Sequence, residues 1–335
     1  NLQLRAYQRF LPEFRAAGAQ LVAISPDLPD DSLTTVEKQE RAFEVLSDPG
    51  IRTARAFGLV FRFSDDLRAE LGCYGTPGIK TPHIDALARR SVRFDRAYVQ
   101  FPLCNPSRSS LLTGRYPTAT GVLGNTEFLG SRHPDWDTLP MYFKKHGYTT
   151  LRTGKIFHGG YDDTEAWHEG GEARPLGNAD RKGSTQDPKR SDSIVILEGD
   201  GESHGDYKSA TRAIEYLEKH GKGDKPFLVA CGFSKPHSPP TAPRKLFELY
   251  DVDKIPLPAD FAAKPAAPAG FPERSVPARN GDLFIARDAS AKEAREVKRA
   301  YWAAVSFVDA QVGRVMAALD KLGLRENTIV VFWGD

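Results

Sequence analysis

The stretch FPLCNPSRSSLLTGR, residues 101 to 115, sets a lone cysteine, Cys104, two residues before Pro106 and four before Arg108. Such a thiol is either a structural side chain in a turn or a group set apart for reaction. Other side chains able to do chemistry come in small groups: Asp65 and Asp66 close an apolar run, and Asp335 follows VVFWG. Lys155 and His158 lie in TGKIFHGG, and Lys235 and His237 in GFSKPHSPP. Taken singly, adjacent acids are ordinarily a solvated turn, and a lysine beside a histidine is ordinarily surface. Taken together, the acids suit a hard divalent cation, and the lysines and histidines suit anion binding and proton transfer.

Composition narrows what these groups can serve. The 46 basic and 44 acidic side chains nearly cancel, so no global field favours nucleic acid or an anionic membrane, and nucleic acid is not an expected partner. No run of about 18 apolar residues occurs, so no membrane span is predicted. Cys73, Cys104 and Cys231 form neither a complete disulfide framework nor a CxxC pair, which leaves oxygen as the donor for any metal. The opening NLQLRAYQRF is amphipathic rather than basic and then apolar, so no signal peptide is visible.

The elements that must position these groups alternate between β and α. Residues 2 to 17 have helical spacing closed by Gly18, AQLVAISP is a buried strand, Thr34 to Arg41 a second helix, FEVLSD a second strand and IRTARAFG a short helix. Near residue 60 the character changes. An apolar strand ends in the paired aspartates, a Gly- and Pro-rich loop follows, and a helix begins near Pro82. Helical patterns cover about 138–146, 206–220 and 291–322, while KPFLVACGF and NTIVVFWGD are short apolar strands of the kind buried on both faces of a parallel sheet. The stretches 160–205 and 239–280 read as loops over a site or its rim. The expected class is α/β, with one unit over residues 1–60 and another over 61–335.

LVAISPD and FEVLSDPGIRTARAFGL resemble the thioredoxin-like peroxiredoxin family, and the likeness covers about residues 1–60. It implies a truncated thioredoxin-like βα segment. That family carries its reactive cysteines on the turn into its first helix, a place ahead of Asn1, so no thiol peroxidase chemistry is expected here.

CNPSRSSLLTGR resembles the signature of the type I sulfatase family. The resemblance implies an alkaline phosphatase/sulfatase-like fold, a mostly parallel sheet sandwiched by helices. It also implies that Cys104 is oxidised by a separate enzyme to formylglycine. The aldehyde hydrate offers two hydroxyls: one attacks sulfur and releases the alcohol, and deprotonation of the other re-forms the carbonyl as sulfate leaves. Pro106 and Arg108 help the modifying enzyme recognise the cysteine, and Arg108 orients the hydrate. The implied metal site is Asp65, Asp66, the Cys104-derived side chain and Asp335, holding Ca2+ or alternatively Mg2+. Lys155 would bind a sulfate oxygen, His158 assist elimination, and His237 contact the sulfate and protonate the departing alcohol. Lys235 belongs to the same motif as a substrate-binding candidate. His83, His133, His146, His168, His204 and His220 carry no comparable pattern.

DDLRAELGCYG, GKIFHGG, KPHSPP and YWAAVSFVDAQVGRVMAALDKLGL resemble the iduronate 2-sulfatase branch, over about residues 60–335. This implies a sulfated carbohydrate substrate, and as maturation partner a formylglycine-generating or an anaerobic sulfatase-maturing enzyme. Family members are generally periplasmic or secreted. The family's ligand after Asp335, a later sulfate-binding lysine and a smaller C-terminal subdomain lie beyond the residues given. The join to redoxin-like sequence further suggests a chimera or misjoined fragment. Two alternatives therefore stand beside a sulfatase: a phosphate or phosphonate monoesterase of the same superfamily, and an inactive chimeric fragment with only a redoxin-type binding module.

Overall fold

The computed structural model describes residues 22–25, 44–47, 58–159, 161–170, 193–262, 267, 269–272 and 288–335, with the backbone alone for 22–25, 44–47 and 61–63. The helices expected over 2–17 and 34–41, that over 51–58 up to residue 57, and much of the two long loops lie outside the described residues; Gly58 itself begins a strand. Strands β1 (Val22–Ser25) and β2 (Glu44–Ser47), both expected from the sequence, pair in parallel as a sheet of their own.

Four longer strands build the sheet that matters for the site. They are β3 (Gly58–Asp65), β4 (Thr149–Gly154), β6 (Phe227–Pro236) and β8 (Thr328–Gly334), in the order β4-β6-β3-β8, and every pairing is parallel. Side chains alternate across a strand, and in β6 both sets are apolar. Phe227, Val229, Cys231 and Phe233 join one buried cluster with Val60, Leu151, Phe332 and the helices that cover that face. Leu228 and Ala230 join a second cluster with Leu59, Leu112, Ile156, Val331 and Trp333 on the other face. A sheet buried on both sides reads as a continuous apolar run, which is why KPFLVACGF and NTIVVFWGD were legible as strands.

Helix α1 (Pro82–Arg89) starts on a proline whose missing N–H would have been unpaired at that position anyway. Helix α2 (Cys104–Thr113) stops at Gly114, whose φ of 66° is left-handed, and α3 (Leu139–Lys145) is capped by the Thr138 hydroxyl. Helix α4 (Gly205–His220) begins under His204, whose ring nitrogen accepts from Asp206 N–H. Helix α6 (Ala291–Lys321) starts with a full capping box between Ser290 and Glu293. Helices α4 and α6 cover the first face of the sheet, while Leu112 of α2 and Met141 of α3 sit in the cluster on the second.

Part of the expected loop region is ordered structure. Val195–Leu197 (β5) and Thr241–Pro243 (β7) pair in parallel, and α5 (Arg244–Phe247) follows directly. Three-residue strands give too short a pattern to detect in sequence, yet Thr241–Pro243 is buried throughout.

Asp309 of α6 fixes α1 from a distance in sequence. Its carboxylate accepts from Ile84 N–H at 2.7 Å and His83 N–H at 3.3 Å, two orphan donors of a helix N-terminus. Burial nevertheless pushes Asp309 up to about 6, against the opposing pull of these N–H groups and of His83. The folded chain therefore holds this proton more tightly than the unfolded chain, whose carboxyl titrates near the ordinary value of about 3.9. From this group alone, stability falls as pH rises from about 4 to about 6, by about 3 kcal/mol. Urea unfolding of wild type and Asp309→Asn across that range should show the wild-type advantage shrinking with rising pH; a constant difference would contradict it.

Candidate active site

Parallel strands bring their carboxyl ends to one edge, where ligands of open α/β sheets sit. β3 ends at Asp65, β4 at Gly154, β6 at Pro236 and β8 at Gly334. The residues that come next are Asp66, Lys155, His237 and Asp335. Four separate sequence motifs thus meet because the sheet is parallel.

Consecutive residues of a strand face opposite sides, so Asp65 and Asp66 would diverge if β3 simply continued. Instead Asp66 has φ 58°, the only positive φ among described non-glycine residues, and the ladder to β6 is irregular between Ser64 and Asp65. The left-handed turn brings both carboxylates to one place. Ligand oxygens of Asp65, Asp66 and Asp335 all lie within 4.8 Å of one another. A non-glycine residue held there stores on the order of 1–3 kcal/mol. Tyr301 of α6 holds it: its hydroxyl donates to Asp66 O at 3.0 Å and accepts from Arg68 N–H at 2.9 Å. Asp66 N–H donates to Asp335 Oδ1 at 3.2 Å.

Two glycines let β4 and β6 end close together. A Cβ on Gly232 would stand 1.9 Å from the Lys155 carbonyl oxygen, and one on Gly154, where φ is 72°, 1.9 Å from the Gly232 carbonyl oxygen. This close approach places Lys155, whose ammonium pairs with Asp65 Oδ2.

Helix α2 delivers two groups on one face. Cys104 is its first residue and Arg108 lies one turn on, the spacing that stacks side chains on a helix. Cys104 Sγ lies 3.4 Å from Asp65 Oδ1. Arg108 has no exposed surface. Its Nε donates to Asp335 Oδ2 at 2.7 Å, one terminal nitrogen to Asp65 Oδ1 at 3.2 Å, and the other to the carbonyls of Lys155 and Ile156 at 2.8 and 2.9 Å.

Electrostatics follow from this crowding. Burial raises the Asp65 carboxyl, but the Arg108 guanidinium and Lys155 ammonium outweigh it and hold the group well below the usual carboxylate range. Asp335 and Asp66 are both pushed up by burial, in part offset by Arg108 for the first and His237 for the second. Burial, then the neighbouring Asp65 charge, push the Cys104 thiol up to about 11. Burial, then Lys155 and Arg108, lower His158, and its buried Nδ1 has no hydrogen-bond partner.

Asp65, Asp66, Cys104, Arg108, Lys155, His237 and Asp335 are therefore together, with His237 Nε2 3.7 Å from Asp66 Oδ2. His158 lies within the electrostatic reach of Lys155, Arg108, Asp65 and His237. Lys235 is placed differently. Its buried ammonium donates to the carbonyls of His237 and Pro239. Sequence reasoning missed Tyr301, Ser64, whose hydroxyl donates to Lys235 O at 2.7 Å, and Asp206, which accepts from Ser234 and Lys235 N–H groups. It also set His204 aside, although that ring caps α4 at Asp206. Asp206 at a helix start was the one visible signal.

Three carboxylates facing one another offer hard oxygen donors, the set that suits Ca2+ or Mg2+. Arg108 and Lys155 formally balance the charge on Asp65 and Asp335, which leaves Asp66, its side chain 53% accessible, as the carboxylate in excess. The donor set fits an oxygen-preferring divalent cation.

This architecture is that of known hydrolases. The phosphonate monoester hydrolase of Agrobacterium radiobacter matches with a TM-score of 0.61 at 19% identity, over 83% of this chain and 62% of that one, a likeness of fold. The sulfatase family model matches residues 59–335, and the chain belongs to the sulfatase family. An AhpC/TSA family model matches residues 1–72. The chain is 31% identical to iduronate 2-sulfatase of Homo sapiens over 311 residues, covering 84% of this chain and 55% of that protein. It is 30% identical to an ulvan-active sulfatase of Formosa agariphila over 320 residues, covering 91% of this chain and 53% of that protein. The chain thus spans about half the length of these curated relatives.

Removing the shared guanidinium should be severe. Arg108→Ala takes from buried Asp335 its ion-pair partner and leaves Asp65 with Lys155 alone, an expected loss of about 3–5 kcal/mol, read as a drop in the urea midpoint; a midpoint within error of wild type would contradict the pairing. The thiol offers a second check. A shift from 9.0 to about 11 leaves Cys104 about 100-fold less thiolate at pH 8 than an unperturbed cysteine. Its alkylation by iodoacetamide, followed by peptide mapping, should be slower by a similar factor and accelerate up to about pH 11.

Proposed function

We propose that this chain carries the catalytic core of a sulfuric ester hydrolase acting on sulfated carbohydrate, with formylglycine made from Cys104 and a divalent cation, Ca2+ or Mg2+, held by Asp65, Asp66 and Asp335. The observation that carries the reading is the meeting of Cys104 Sγ with Asp65, at 3.4 Å, inside a cluster of acids, Lys155 and His237, at the open end of a sulfatase-family sheet. The thiol itself is a poor nucleophile here, because burial and Asp65 keep it protonated. Conversion to the aldehyde, by a formylglycine-generating or anaerobic maturation enzyme, supplies a hydrate with one hydroxyl to attack and one to expel the product.

The chain's own side chains then have distinct tasks. Arg108 favours the ionised forms of Asp65 and Asp335 and holds both carboxylates in place. Lys155, exposed at 14% of its side chain and already beside the acids, offers its ammonium to a nonbridging sulfate oxygen. His158, lowered towards the neutral form, takes a proton during release of sulfate. His237 gives one to the departing sugar oxygen, which leaves as the hydroxyl. Likeness to the iduronate 2-sulfatase and ulvan-active sulfatase favours sulfated uronate-containing or related polysaccharide over phosphate esters. We also infer a division of the chain near residue 60, since β3 begins at Gly58 and is an inner strand of the sulfatase sheet.

The test is mass spectrometry of the Cys104 peptide after coexpression with a formylglycine-generating enzyme. The expected product has lost one sulfur and two hydrogens and gained one oxygen. The matured chain should bind Ca2+ by calorimetry and, if it turns over, hydrolyse aryl sulfate faster than aryl phosphate. Asp65→Asn should weaken Ca2+ binding at least about tenfold. A Cys104 peptide of unchanged mass, or a preference for the phosphate ester, would overturn the reading.

A further inference from the structure

The four residues after Lys235 form a small device around His237. Lys235 is 4% exposed, and its backbone is fixed from two sides. Asp206 Oδ2 accepts Lys235 N–H at 2.8 Å, Asp206 Oδ1 accepts both Ser234 N–H and hydroxyl, and the Lys235 carbonyl accepts from the Ser64 hydroxyl. From that fixed base the ammonium donates to the carbonyls of His237 at 2.7 Å and Pro239 at 3.0 Å. It takes the carbonyls on either side of Ser238 and leaves that of Ser238 to another donor.

The Ser238 carbonyl lies 2.7 Å from His237 Nδ1. A carbonyl only accepts, so at this distance Nδ1 carries the proton. The competing partner, Asp66 Oδ2, is 3.7 Å from Nε2, beyond hydrogen-bond range. In the neutral ring Nε2 is then the unprotonated nitrogen, on the side of the carboxylates.

We propose that Lys235 is a positioning residue: by holding the His237 and Pro239 carbonyls it turns the Ser238 carbonyl onto Nδ1 and fixes neutral His237 as the Nδ1–H tautomer, with Nε2 open to the site. Every proton His237 gains or gives is then exchanged at Nε2. The inference deepens the proposed function, which gives His237 a proton-donating task, but its test needs no turnover.

The full chain labelled with 15N-histidine is studied by long-range proton–nitrogen correlation at about pH 8, where free imidazole is neutral, with His237 assigned by its loss in His237→Gln. In wild type, Nδ1 should give the protonated, pyrrole-type signal and Nε2 the pyridine-type one. Lys235→Met keeps the apolar stem and removes the donors; it should lose this pattern in favour of mixed tautomers. Where that variant does not fold, Lys235→Gln, too short to bridge both carbonyls, serves with the same outcomes. A wild-type ring protonated at Nε2, or a variant with the wild-type pattern, would sink the inference. A chain that fails to mature at Cys104 while showing the Nδ1–H signature would overturn the proposed function and leave this one standing.

Discussion

The buried guanidinium of Arg108 is the contact on which the site depends. It meets Asp65 at the end of β3, Asp335 after β8, and the backbone of Lys155 and Ile156 after β4. One side chain on α2 therefore joins three strand ends that lie far apart in sequence. Two carboxylates this close to each other and this far from water are tolerable only with a cation between them. Arginine suits the position because its planar fork addresses several acceptors at once, which a lysine cannot do. Removing it would leave Asp65 with Lys155 alone and Asp335 without its ion pair, and the three strand ends would lose the side chain they share.

The same economy explains the departures from regular geometry. Asp66 adopts a left-handed conformation because two neighbouring acids cannot otherwise reach one place, and Tyr301 and Asp335 hold it there. Gly154 and Gly232 appear where β4 and β6 approach too closely for any side chain. Asp66 and Gly154 stand at or beside proposed functional groups, as stored strain commonly does, and Gly232 packs against the backbone of Lys155.

Much of this was legible in the sequence, and the reason is local pattern. Strands buried on both faces are continuous apolar runs, so KPFLVACGF and NTIVVFWGD announce themselves and carry His237 and Asp335 at their ends. The spacing of Cys104 and Arg108 places them on one helical face once α2 is known to be a helix. What was hidden rests on contacts between distant segments. Nothing near Tyr301 shows that its hydroxyl will meet Asp66, 235 residues away. Lys235 was a substrate-binding candidate only through its place in the motif of the family resemblance, and nothing in that motif shows that its ammonium turns to the backbone carbonyls of His237 and Pro239. β5 and β7 were read as loop because three residues are too few to display a period.

The surroundings of Cys104 bear on why a thiol should stand there at all. Catalytic cysteines are found where cations or helix dipoles lower the thiol and expose the thiolate. Cys104 begins a helix and has Arg108 and Lys155 nearby, yet its thiol is pushed up to about 11, because burial and the charge of Asp65 prevail. Arg108 and Lys155 are already engaged by the acids, so little of their field remains for sulfur. A hard cation among three carboxylates would likewise prefer oxygen to sulfur as its next ligand. The surroundings of Cys104 thus disfavour a thiolate, which accords with the proposed role of this cysteine as a precursor rather than as the reactive group.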